Sequence, residues 1–273
     1  MDYKLIASDL DGTLFGPDSR VSRENWKAIE SLKEKGVEFV PASGRAFYEM
    51  PAELRDSDLI RYYITSDGAL VYDKQTGSQW ELAMPKPVGK QLLDIVYRYS
   101  DCLMVHADLN SYMDADNHNI PYYTGYNMTQ SWIDSVCQVD VLRTGFRDFV
   151  YGLSSIQSLC AFFRSKPEQR ACIAELEATG EFLVAQSDGY NLEAFHKTAG
   201  KGNALHLLAQ KLDIPVEATI AMGDSTNDLT MIRAAGLGLV MENGMQELKA
   251  VADRVICNNR EHAVAWLLKE YFA

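Results

Sequence analysis

The sequence predicts an α/β fold, a parallel sheet with helical crossovers that is interrupted by an α+β insertion. Three observations predict it. Apolar strands alternate with amphipathic helices at the N-terminal end, as in βαβ units. The same alternation returns after residue 200. Between the two, helices and hairpins follow one another without that rhythm. Length agrees, since 273 residues exceed one typical domain and fall short of three, so two domains are expected.

Residues 3–8 are an apolar run that ends at Asp9 and reads as a buried strand. Residues 22–35 read as a helix. Ser22 stands at the N-cap, Trp26, Ile29 and Leu32 recur at helical spacing, and Gly36 lies just past the end. VEFVPA at 37–42 reads as a second strand, and 45–55 as a helical stretch interrupted by Pro51. In the middle, 86–99 and 167–179 read as helices. Residues 102–113 and 182–195 read as hairpins turning at 108–110 and 187–189. After residue 200, a helix at 202–212 carries Leu205, Leu208, Ala209 and Leu212 on one face. A strand at 218–222 and a helix at 227–235 closed by Gly236 follow. Short strands at 237–241 and 254–256 and an amphipathic helix at 261–271 complete the chain. The expected division is a core in two parts, 1–83 and 195–273, around an inserted domain at 84–194. Pro85 and Pro87 punctuate the start of the insertion.

Composition narrows the function classes. At 47% hydrophobic and 23% charged residues, the chain reads as globular with a sizeable core. Its formal net charge of −12 disfavours a nucleic-acid backbone or an anionic membrane as the main partner, because both need basic patches. No run approaches the roughly 18 apolar residues of a membrane span. The N-terminus MDYKLIASDLDGTLF has no basic segment followed by a long apolar one, so no signal peptide is read. Five cysteines, odd in number and without C-x-x-C spacing, read as reduced, mostly buried thiols of a cytoplasmic protein and exclude a zinc site.

The chemistry-bearing residues stand after strands. Asp9 and Asp11, in DLDGTL, follow the first strand, where ligands of open α/β sheets bind. Two carboxylates so spaced repel unless a cation lies between them or one holds a proton. One can bind a metal and attack phosphorus while the other handles the proton. An acidic surface turn is the alternative, disfavoured by the apolar strand before it. GDSTND at 223–228 follows the strand ATIAM and opens a helix, bringing Asp224, Asn227 and Asp228. One acid there is explained by helix capping. Two acids plus a second acidic cluster suit a hard cation with oxygen ligands, and magnesium fits. Ser43 and Gly44, in SGR, offer a hydroxyl and backbone N–H groups to phosphate oxygens. Lys201, before a helix, can neutralise a phosphate and a nucleophile together. Taken singly, an N-cap and a solvated surface charge explain the last two as well.

Together, DLDGTL, SGR, KGNAL and GDSTND resemble the four motifs of the haloacid dehalogenase superfamily. The large insertion between the second and third resembles its Cof-type (subfamily IIB) sugar-phosphatase branch with a C2-type cap, and the resemblance spans essentially the whole chain. It implies a Rossmann-like core and a mobile cap that selects the substrate. It implies a magnesium-dependent phosphatase of small phosphorylated metabolites, with sugar phosphates first. Asp9 is the implied nucleophile, passing through an aspartyl-phosphate, and Asp11 the acid and base. Asp9, the backbone carbonyl of Asp11, Asp224 and Asp228 are the implied metal site. Ser43, Gly44, Lys201 and Asn227 are the implied phosphate-binding groups. A sugar-phosphate phosphomutase on the same core and a non-catalytic phosphometabolite-binding module are the alternatives. The chain is expected to act as a monomer or homodimer.

Two turns depart from the resemblance. TSDGA at 65–69 has Asp67 where Asn is usual, and MENG at 241–244 stands for the usual MGNA. The extra carboxylate matters if the first turn faces substrate. The second is expected to have little bearing on chemistry. In the insertion, Tyr122, Tyr123 and Tyr126 are read as packing residues, His196 as structural, and Arg143 and Arg147 as surface charges.

Overall fold

A computed structural model describes residues 2–137, 141–186 and 189–272. Its contacts divide the chain into two units, one of Met1–Gly44, Pro51–Trp80 and Gly200–Ala273, the other of Arg45–Met50 and Glu81–Ala199.

The first unit is built on a five-stranded, all-parallel sheet. Its order is Arg254–Val255, Leu237–Val240, Thr219–Gly223, Leu5–Ser8, Glu38–Pro41. Leu5–Ser8 is buried at every position, as a central parallel strand covered on both faces requires. Sequence-distant strands therefore flank it, Thr219–Gly223 on one side and Glu38–Pro41 on the other. The loops leaving their carboxyl ends converge, which is where open α/β sheets take ligands.

The helix Arg23–Glu34 starts as expected, with the Ser22 hydroxyl accepting from Asn25 N–H. It packs on the helix Ala263–Tyr271. Asn25 ties the two ends of the chain together: its amide nitrogen donates to Leu14 O, and its oxygen accepts from Val264 N–H and Ala265 N–H. The helical stretch expected across 45–55 with an interruption at Pro51 is broken there, and no single helix spans it. A tight turn Phe47–Glu49 and one helical turn Ala52–Arg55 stand in its place. Met50, held extended at φ −70°, ψ 146° before Pro51, separates them, because a residue preceding proline is pushed out of the helical region. An antiparallel meander, Tyr62–Thr65, Leu70–Asp73, Ser78–Glu81, completes the unit.

The second unit holds a six-stranded sheet ordered Phe182–Ala185, Asn191–His196, Ser158–Phe162, Cys102–Ala107, Asn110–Asp114, Leu142–Arg143. All its pairings are antiparallel except the last. Both expected hairpins are present, and the turn at 187–188 lies outside the described residues. Alternation along the strands feeds two cores. Leu103, Val105, Leu159 and Leu192 pack with the helices Lys86–Val96 and Lys166–Thr179. Met104, Cys160 and Phe162, on the opposite face, pack with Tyr123, Tyr126 and Ile133. Tyr123 and Tyr126 thus fill a core. The arginines expected as surface charges stack on rings, Arg147 4.3 Å from the centroid of Tyr97 and Arg143 5.2 Å from that of Tyr112. All five cysteines are free. No helix among the described residues is long and apolar enough to cross a membrane.

Candidate active site

Asp9 is the first residue past the central strand. Its N–H donates to Met222 O at 2.9 Å, so the neighbouring strand fixes where its side chain begins. The chain then winds through a wide turn, Leu10–Leu14, closed by bonds from Leu14 N–H to Asp9 O and Phe15 N–H to Leu10 O. Gly12 makes this possible. Its φ is +87°, and a Cβ there would lie 2.3 Å from Asp224 Oδ2. Only glycine meets both conditions.

Lys201 opens the helix Lys201–Lys211 and has no exposed surface. Its ammonium donates to Asp9 Oδ1 and to Asp228 Oδ1, each at 2.7 Å. Burial alone lowers the pKa of such an ammonium, but Asp228, Asp9 and Asp67 outweigh it and hold Lys201 protonated well above the ordinary lysine range. Asp9 goes the other way from a free carboxylate. Burial and then Asp228 push it well up, while Lys201 pulls it back. Asp224, half-buried, is pushed up to about 6 by burial and by Asp228. It accepts a hydrogen bond from Thr13 Oγ1 at 3.3 Å.

Asp228 has two sets of partners. Its Oδ2 accepts from Asp224 N–H at 3.0 Å and Ser225 N–H at 3.1 Å, the second bond closing a capping box around the short turn Thr226–Asp228. Its Oδ1 takes Lys201. Three of the roughly four acceptor positions of its carboxylate are therefore filled.

Oxygens of Asp9, Asp224 and Asp228 lie within 4.8 Å of one another. Three carboxylates against one ammonium leave two negative charges in a largely buried space. All-oxygen donors and that charge fit a hard divalent cation. Asp11 is exposed and stands in the turn beside this triad, close enough to raise the Asp224 pKa.

The loop leaving the neighbouring strand carries Ser43 and Gly44. Ser43 is buried after the strand Glu38–Pro41, and its N–H donates to Ile64 O at 2.9 Å. The turn carrying Asp67 packs onto it, with Asp67 N–H donating to Ser43 O at 3.1 Å. A Cβ on Gly44 would lie 3.0 Å from Asp67 Oδ2. Asn227 donates from Nδ2 to Asp67 Oδ1 at 3.0 Å.

Sequence reasoning undervalued the turn after Met241. Asn243 donates to Gly12 O at 2.8 Å, and Met245 N–H donates to Asp224 O at 2.8 Å. This turn therefore backs both acidic loops. The only sequence signal was its departure from the expected MGNA.

The chain is similar to known proteins over nearly its whole length. Residues 6–268 match a family model described as haloacid dehalogenase-like hydrolase. Phosphatase YwpJ of Bacillus subtilis is 28% identical, with 97% of this chain and 99% of that protein aligned. The 5-amino-6-(5-phospho-D-ribitylamino)uracil phosphatase YcsE of the same organism is 29% identical, with 99% and 96% aligned. Among solved structures, the subclass IIB sugar phosphatase BT4131 shares the fold, with a TM-score of 0.78 at 21% identity over 98% of this chain and 99% of that one.

Proposed function

Because the chain belongs to the haloacid dehalogenase-like hydrolases and is a phosphatase of small phosphorylated metabolites, we propose that it hydrolyses sugar or sugar-alcohol monophosphates with magnesium, through an aspartyl-phosphate on Asp9. The observation that carries this reading is the buried Lys201 ammonium bridging Asp9 and Asp228. It orients one carboxylate oxygen of Asp9 and leaves the other available for attack. A polyol phosphate is favoured by the substrate in the name of the relative YcsE.

In the proposed reaction the free carboxylate oxygen of Asp9 attacks phosphorus, and the ester oxygen leaves as an alcohol that takes a proton from Asp11. Asp11 then removes a proton from the water that attacks the aspartyl-phosphate. That step releases inorganic phosphate and restores Asp9. Lys201, the Ser43 hydroxyl, Gly44 N–H and the Asn227 amide hold the equatorial oxygens, since phosphoryl transfer demands positioning and charge neutralisation above all. Asp9, Asp224, Asp228 and the Asp11 carbonyl would hold magnesium, which when bound neutralises charge on the transferring group.

The test is a phosphate-release screen with magnesium over sugar phosphates, sugar-alcohol phosphates, nucleotides, pyridoxal phosphate and flavin-pathway phosphates. The expected result is the highest kcat/KM on a sugar or sugar-alcohol phosphate. Turnover confined to nucleotides overturns the substrate class, and isomerisation without phosphate release overturns hydrolysis.

The metal assignment has a separate readout. The folded pKa of Asp224, about 6, lies above its unfolded value. The folded state therefore holds that proton more tightly, and the metal-free protein loses stability as pH rises through the interval between the two. A cation on the carboxylates opposes that loss but must displace the proton at low pH. The gain in Tm from added magnesium is expected to be larger at about pH 7.5 than at about pH 5. An equal gain at both counts against Asp224 as a ligand.

A further inference from the structure

We propose that Asp67 is a positioning residue in this chain: its carboxylate clamps the side-chain amide of Asn227 in one orientation, and that orientation sets how tightly phosphate is held. The proposal rests on the reading that Ser43, Gly44, Lys201 and Asn227 bind the phosphoryl group.

Asp67 is the common neighbour of all four. Its N–H donates to Ser43 O, and its Oδ2 lies 3.0 Å from the position a Cβ would take on Gly44. It is also one of the carboxylates that hold the Lys201 ammonium protonated. Its Oδ1 accepts from Asn227 Nδ2 at 3.0 Å. The residue itself is buried.

The Asn227 amide is gripped at both ends. Ser225 Oγ donates to its oxygen at 2.5 Å, and Asp67 takes one hydrogen of its nitrogen. An amide has a donor end and an acceptor end, and its neighbours decide which way it points. Here a hydroxyl meets the oxygen and a carboxylate meets the nitrogen, so the second Nδ2 hydrogen is left for an anion. The flipped amide would turn its oxygen toward both the carboxylate and the phosphate, an arrangement opposed twice by like polarity.

The turn is held for this purpose at a backbone cost. Ser66, Asp67 and Gly68 all have positive φ, at 50°, 53° and 84°. A Cβ at Gly68 would lie 2.3 Å from the Gly200 carbonyl, so this turn packs directly against the residue preceding Lys201. Left-handed backbone at non-glycine residues persists where surrounding structure enforces it.

The competing role for an extra carboxylate beside a phosphate site is simple repulsion, and it predicts the opposite sign. Asp67→Gly deletes the carboxylate in a left-handed position where glycine adds no strain. Asp67→Asn keeps an acceptor and tolerates that backbone. Binding of inorganic phosphate, measured by titration calorimetry with magnesium present, reads the effect without turnover. Asp67→Gly is expected to bind phosphate about five- to tenfold more weakly, the value of one hydrogen bond. Its KM should rise in parallel, with kcat within about twofold of wild type. Asp67→Asn should stay within about twofold in affinity, and Asp67→Gly combined with Asn227→Ala should bind no more weakly than Asn227→Ala alone. Ser225→Ala loosens the same amide from its other end and should also weaken phosphate. Tighter binding in Asp67→Gly, equal losses in Asp67→Gly and Asp67→Asn, additive losses in the double variant, or unchanged binding in Ser225→Ala each overturn the clamp. A wild-type chain that binds phosphate but turns over no monophosphate overturns the proposed function and leaves these arms readable.

Discussion

Asp9→Asn is expected to lower kcat for phosphomonoester hydrolysis by about four orders of magnitude or more, as removal of a covalent nucleophile does. An amide oxygen does not form a phosphoryl bond that water then cleaves. The groups proposed to hold the phosphoryl oxygens are untouched, so KM should change far less than kcat. The fold should survive, for a reason visible in the site. Burial and Asp228 make an ionised Asp9 costly in the folded state, and the amide removes that cost. Lys201 keeps its second partner, Asp228, at 2.7 Å. The metal-free variant should therefore have a Tm equal to or above that of the wild type, read by circular dichroism alongside the kinetics. Activity within about tenfold of wild type sinks the nucleophile assignment. A collapse of the folded state would show instead that Asp9 is structural.

The sheet and its acidic loops were legible because their signals are local. An apolar run followed at once by Asp9, or by Gly223 and Asp224, states in a few consecutive residues both the strand and what stands at its carboxyl end. The helix Arg23–Glu34 was legible for the same reason: its cap, its apolar spacing and its closing glycine all lie within its own length. What escaped the sequence rests on contacts between distant positions. Residues 45–50 side with the second unit because Tyr48 N–H donates to Leu109 O and Glu49 pairs with His106 at 3.2 Å. Nothing between residues 45 and 50 announces partners that lie some sixty positions away. Asn243 behind Gly12 and Asp67 against Asn227 are of the same kind. The two changed turns stand out in the sequence as departures, but their weight depends on which loops they touch. The two sets of partners of Asp228 were also hidden: its spacing from Asp224 announces a cap or a metal site equally, and nothing near it in sequence announces that one oxygen takes the backbone N–H groups of Asp224 and Ser225 while the other takes Lys201.

Lys201 carries the largest combined effect on stability and activity. Lys201→Met keeps the length and packing of the buried stem and removes the ammonium. Asp9 and Asp228 are then left facing each other without a counter-charge, beside Asp224. Breaking a buried ion pair by removing one partner costs about 3–5 kcal/mol, which for a chain of this size lowers Tm by about 10 °C. The pH dependence follows from the sign of the shift. The folded pKa of Lys201 is raised above its unfolded value, so its stabilisation is fully present at every pH below the ordinary lysine range, neutral pH included. In the variant the carboxylates must carry protons to lie so close, so the Tm deficit should be widest above neutrality and narrow as pH falls toward the range in which they protonate. Magnesium should recover part of the deficit by supplying the missing positive charge. Catalysis should not recover with it. The ammonium also orients Asp9 through a 2.7 Å bond and, in the proposed reaction, meets the charge that develops on the phosphoryl oxygens, so kcat should stay down by about two to three orders of magnitude at saturating metal. Thermal melts across pH with and without magnesium, paired with kcat, separate the two effects. A variant with wild-type Tm and kcat within about tenfold would show that the buried bridge between Asp9 and Asp228 supports neither the fold nor the chemistry.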